Sequence, residues 1–192
     1  MTIEELFVAS NEIEQEVVER IADDQWRLML PEAVTRRPMD LFEAVRYHVW
    51  DSAWIPDGLA GMTLEEVGDR YAPLLKLASE ELKSNFARYS QRAIAAVRDL
   101  TDLDRVVHLT YGDFPAREYL QHNVSVRAFW SYDIAKVIGV DFALADDVAQ
   151  ALLEEFGPVV EGYRKMGLFP PEVQAPRDAT PTAKLLAMVG RG

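Results

Sequence analysis

Three histidines, His48, His108 and His122, supply all the imidazole of this chain, and there is no cysteine. Imidazole is the side chain that most readily binds a metal or moves a proton near neutral pH. The absence of thiols removes disulfides, thiolate zinc sites and a protein-borne sulfur nucleophile. His48 lies in AVRYHVWDSAW, with Asp51 three residues on. On a helix these two share a face, so a His-x-x-Asp metal pair is geometrically allowed. The competing reading, which spacing alone favours, is a partly buried histidine bonded to a neighbour. His122 follows Glu118 by four residues. That pair could hold a metal, or could be an exposed helix pair worth a few tenths of a kcal/mol. His122, Val126 and Trp130 also fall in one helical stripe, a polar group followed by two apolar ones. His108 sits on an extended segment and is assigned no role. No HExxH or HxxxH pair, glycine-rich phosphate loop or GxSxG elbow occurs.

Aromatic residues are the second candidate set. Trp50, Trp54 and Trp130, with Tyr47 and Tyr132, could line a ligand cavity. Aromatics at helical spacing more often build core, although a buried indole N–H or phenol needs a polar partner.

The elements that must position these groups are mostly helical. Ile3, Leu6, Phe7, Ile13, Val17 and Ile21 mark one side of a first helix, with glutamates between them. Leu41, Phe42, Val45 and Val49 mark a second, expected to end near Ile55–Pro56, because a residue before proline disfavours the helical region. Thr63 reads as an N-cap with Glu65 and Glu66 in the first turn. It opens one long helix, or two in series, from Leu64 to about Leu100, divided or kinked at Pro73. DRVVHLTYGDFP has β-branched, extended character and is expected to form a short strand or loop near 105–111, not a sheet. Pro115 suits the first turn of the helix that carries His122, and Gly139 suits its end. A helix over Ala145 to Lys165, bent at Gly157–Pro158, follows. An irregular strap comes next, then a last short helix capped by Thr180 with Pro181 and running through Val189. Four long helices with short links predict an all-α bundle and one domain over residues 1–192.

Bulk properties narrow the partners. The chain has 192 residues, 49% hydrophobic and 27% charged, enough for a core that needs no staples. Its formal charge of −12 repels phosphate backbones, so nucleic acid is not an expected partner. No membrane span and no secretory signal are visible, and the lack of cysteine fits a cytoplasmic chain.

Several segments in order, HVWDSAWIPDGLAGMT, LTYGDFPAREYL, FWSYDIAKVIG and APRDATPTAKLLAMVGRG, resemble the DinB/YfiT-like superfamily. The resemblance is to the branch related to mycothiol-dependent maleylpyruvate isomerase, and it covers residues 39 to 192. It implies a four-helix bundle with a divalent metal held by three side chains. His48 matches the first ligand position, and the Asp133-Ile134-Ala135 anchor places the other two at Val126 and Trp130. The family carries glutamate or histidine, then histidine, at those two places. Valine offers no ligand and an indole N–H only donates, so the usual metal site is expected to be lost. Glu118 and His122 repeat the spacing two turns earlier, about 12 Å along the helix, as alternative ligands with His48.

The reading that follows is a metal-free bundle without cofactor. It would bind a small molecule in a cavity lined by Tyr47, Asp51, Val126, Trp130 and Asp133, with His122 at its edge. The alternative is a transferase or isomerase using zinc or nickel with a low-molecular-weight thiol of the mycothiol type. The lack of cysteine suits that chemistry, because the cofactor brings the thiol. A third reading, from pairing through bundle faces in the superfamily, is a structural homodimer.

Overall fold

The computed structural model describes all residues from Met1 to Gly192. It is mostly helical. α1 (Ile3–Glu19) starts at Thr2, whose hydroxyl accepts from the Glu5 N–H while the Glu5 carboxylate accepts from the Thr2 N–H. That reciprocal cap satisfies two backbone donors at the helix start. A single turn, α2 (Glu32–Thr35), precedes α3 (Leu41–Leu59), which Asp40 caps through the Glu43 N–H. After α4 (Leu64–Val67) and a 3-10 turn (Ala72–Lys76) come α5 (Ser79–Arg98), β1 (Val106–Leu109) and β2 (Gly112–Pro115). Then follow α6 (Ala116–Ile138), α7 (Asp146–Phe156), α8 (Val160–Lys165) and α9 (Pro181–Met188).

The four long helices share one interior. α1 packs against α5 and α6, α3 packs against α5, and α7 packs against α9 and α1. Two apolar clusters fill the two ends. One, of 25 buried residues, contains Leu6, Phe7, Ile55, Ile94, Leu120 and Phe129. The other, of 20, contains Val18, Leu41, Val45, Leu82, Phe86 and Ile134. Each fully buried side chain of this size contributes about 1.5–3 kcal/mol, so the two clusters hold the helices together. No helix is long and apolar enough to cross a membrane.

Four local expectations are corrected. α3 does not stop at Ile55–Pro56 but carries Pro56 inside it and continues to Leu59. Gly58 and Leu59 are buried there, and a Cβ on Gly58 would stand 3.2 Å from the Val107 side chain. Packing against the neighbouring strand outweighs the single backbone bond lost at proline. The stretch from Leu64 is divided, as the alternative of two helices in series has it, but Pro73 is not where the first helix ends. Gly68 adopts φ 52°, ψ −138°, which ends α4 after one turn, and the 3-10 turn holding Pro73 separates it from α5. Residues 106–115 form a two-stranded antiparallel hairpin rather than a lone strand, with Val107 opposite Phe114 and His108 opposite Asp113. The bend expected at Gly157–Pro158 is a full break between α7 and α8.

Candidate functional site

Between the two apolar clusters lies a layer of polar side chains contributed by all four long helices. Ser10, Asn11 and Glu14 come from α1, and His48 and Ser52 from α3. Ser90 comes from α5, and Asn123, Arg127 and Ser131 from α6. All of them are buried, and Glu14 and Arg127 are wholly so. The Arg127 guanidinium organises the layer. Its Nη2 donates to Asp51 Oδ2 at 2.8 Å and to Ser52 Oγ at 3.0 Å. Its Nη1 stands 3.4 Å from Glu14 Oε2, within ion-pair range but not aligned for a hydrogen bond. The other Glu14 oxygen makes a short contact with His48 Nδ1. His48 Nε2 and Arg127 Nε have no hydrogen-bond partner in the protein.

A cavity of about 880 Å³ opens beside α6. Glu118, His122, Val126 and Trp130, spaced by four along that helix, form one wall. Tyr47 of α3, Tyr111 and Phe114 of the hairpin, Tyr163 of α8 and Phe169 of the strap complete its aromatic lining. Tyr163 and Phe169 stack at 5.1 Å with an interplanar angle of 16°. Phe114 meets the His122 ring edge-on at 5.1 Å, and Tyr111 lies 5.5 Å from Phe114. The Tyr111 hydroxyl is 3.3 Å from His122 Nδ1, and Glu118 Oε1 is 3.8 Å from Nε2. Burial pushes the His122 pKa down, and the Glu118 charge opposes this only in part. Burial also drives the Tyr111 and Tyr163 phenols up to about 12, reinforced by nearby carboxylates. A smaller pocket of about 120 Å³ shares Tyr47 and Tyr111 and takes in Trp50, Asp51, Trp54 and His108.

The expected site residues are therefore distributed over several places. Tyr47, Glu118, His122, Val126 and Trp130 do line the large cavity. His48 does not reach it. It lies in the buried layer, behind Trp130, with ring centroids 4.8 Å apart. Asp51 turns to Arg127 and to the smaller pocket, so the His48–Asp51 pair shares no ligand. Asp133 is buried under Arg191, whose Nε lies 3.0 Å and Nη2 2.8 Å from Oδ2. Burial nevertheless raises the Asp133 pKa, with Arg191 pulling it the other way. Arg191 itself lines the cavity. Tyr132 packs on Phe142 and Trp54 on Tyr71, away from the large cavity. His108 bonds Asp113 across the hairpin at 2.9 Å.

A divalent metal does not fit these residues. The alternative trio of His48, Glu118 and His122 is not assembled, because His48 is sequestered with Glu14 while the other two face the cavity. No group of three or more histidine, cysteine, aspartate or glutamate side chains converges on one point, and zinc or nickel needs such a set. At Val126 and Trp130 the side chains present a hydrocarbon and an aromatic donor.

Sequence reasoning missed Glu14 and Arg127, although one signal was present. Phe7, Ser10, Asn11, Glu14, Val17 and Val18 occupy one continuous helical face. Polar residues inside an otherwise apolar stripe mark a buried polar layer. In comparison with known proteins, the chain matches no family model, no curated protein and no solved structure.

Proposed function

We propose that this chain is a DinB/YfiT-like four-helix bundle that binds a small organic ligand in the cavity beside α6, without a metal ion. The single observation that carries the reading is the cavity of about 880 Å³ with its aromatic walls and a few polar groups. Small-molecule sites commonly have volumes of roughly 300–1,000 Å³ and this mixture of lining. The family resemblance supports the bundle and points to the helices that carry His48 and Trp130. Valine and tryptophan at positions 126 and 130 argue against the relatives' metal chemistry. They enlarge the apolar surface that a ligand would cover.

A thermal-shift screen of small organic fragments, with and without a chelator, tests the proposal. A ligand at one hundred times its Kd stabilises the folded state by about 2.7 kcal/mol. For a chain of this size that raises Tm by roughly 5–10 °C. The shift should survive the chelator and disappear in Val126→Trp, which fills the cavity wall. A screen without any shift, or shifts that the chelator abolishes, would overturn the proposal.

A further inference from the structure

We infer that the ligand of this cavity is an uncharged aromatic molecule and that the cavity discriminates against carboxylates and phosphates; this rests on the binding reading above. Two cationic side chains reach the walls, Arg36 and Arg191, and both are engaged by the protein. Arg191 clasps the buried Asp133 carboxylate through Nε and Nη2 and donates from Nη1 to the Val189 carbonyl at 3.3 Å. Arg36 donates from Nε to Gly167 O at 3.0 Å and from Nη2 to Met166 O at 3.1 Å. At Arg191 an entering anion would have to displace these bonds, and separating a buried Arg–carboxylate pair strands a charge away from water. Arg36 is exposed, so water and salt screen its charge, and Glu118 on the same wall opposes it.

The remaining electrostatics point the same way. Glu118 stands on the wall, and burial holds His122 toward its neutral form. Asp51 and Glu118 press on the Tyr111 phenol, and Glu118 and Glu155 on Tyr163. Burial is the main cause of both shifts and the carboxylates add to it; the same desolvation and like charge act against any other anion in this space. What the cavity offers instead is flat apolar surface. The stacked Tyr163–Phe169 pair and the Tyr111–Phe114–His122 group are surfaces on which a ring can lie. The Tyr47 phenol adds a neutral hydrogen-bonding group suited to a hydroxyl or carbonyl, and Ser125 Oγ, which donates to the His122 carbonyl, can still accept.

Three probes sharing one ring system separate charge from shape: 1-naphthol, 1-naphthoate and 1-naphthylmethylammonium. Each is titrated calorimetrically into the full chain near neutral pH and low salt, and into its Glu118→Gln variant. The expected result is 1-naphthol binding about tenfold or more tighter than 1-naphthoate, or about 1.4 kcal/mol. The expected gap narrows in Glu118→Gln. Naphthoate binding as tightly as naphthol, or the ammonium binding more tightly than naphthol, overturns the inference and leaves the cavity reading standing. No binding by any of the three, when the fragment screen does find ligands, overturns the inference alone. Silence in both experiments overturns the cavity reading with it.

Discussion

Arg127 is the residue on which most of the interior electrostatics depend. It is fully buried and faces two carboxyl groups, Glu14 and Asp51, from two different helices. Removing one partner of a buried ion pair typically costs about 3–5 kcal/mol, against a total stability of about 5–15 kcal/mol. Arg127→Ala is therefore expected to lose stability on that scale, measured as a drop in the guanidinium unfolding midpoint at unchanged slope. A change under about 1 kcal/mol would show that the contacts carry little energy. In the sequence this residue is nearly invisible: an arginine between Val126 and Ala128 reads as a side chain reaching to water. Glu14 stands among Glu12, Glu16 and Glu19 and reads as part of a solvated face. Only the third dimension brings the two together. His122 gives a second prediction at this scale. Its folded-state pKa lies below the ordinary 6.5, so the unfolded chain binds the proton first as pH falls. Stability is then present above the ordinary imidazole range and is lost as pH drops through it. His122→Gln should flatten that part of the stability–pH curve, followed by urea unfolding across the mildly acidic range. An unchanged slope would mean that His122 is solvated in the folded chain.

Among the elements, the strap between α8 and α9 and the tail after α9 line the cavity without regular structure, through Leu168, Phe169 and Arg191. Phe169 is buried, and the chain then returns so that Arg191 meets Asp133. Gly190 makes that return feasible. It has φ 76°, and a Cβ there would lie 2.7 Å from Pro170 Cβ and 2.7 Å from the Pro171 carbonyl. Gly190→Ala is expected to cost about 1–3 kcal/mol through backbone strain and to raise hydrogen exchange in residues 168–191 selectively. Uniform exchange, or none beyond wild type, would count against the contact of the tail at Gly190 with the strap as the strained point. The longer helices are legible from their apolar period, and Thr63 and Thr180 are true caps, although Thr63 caps a single turn and α5, α6 and α7 have no side-chain cap at all. The hairpin is not legible in this way. Its second strand is the four residues Gly112–Pro115, which carry no alternation, and it exists because β1 supplies a partner. Pro56 illustrates the converse: a strong local stop signal was overridden by burial of Gly58 and Leu59.

At the scale of the molecule, α6 connects the two polar features. Asn123, Arg127 and Ser131 form its inward row, and Glu118, His122, Val126 and Trp130 form the cavity row one residue step away. Trp130 touches both, with the cavity on one side and the His48 ring on the other. The buried layer is thus placed to hold the rotation of α6, which decides which side chains a ligand meets, and this expectation is tested by removing the layer. This arrangement separates stability from alignment. Replacing a buried charged set with apolar groups of similar volume is often neutral or stabilising, by about 1–4 kcal/mol. The triple variant Glu14→Leu/His48→Leu/Arg127→Leu merges the two apolar clusters and leaves Asp51, which is partly exposed, to water. It is expected to unfold at equal or higher denaturant than wild type, while any single member of the set unfolds lower. The same variant should bind 1-naphthol more weakly, because nothing polar then holds α6 in register and Trp130 loses its backing ring. A triple variant less stable than each single one would show that the layer contributes net stability. Full 1-naphthol affinity in a stable triple variant would show that the apolar clusters alone set the rotation of α6.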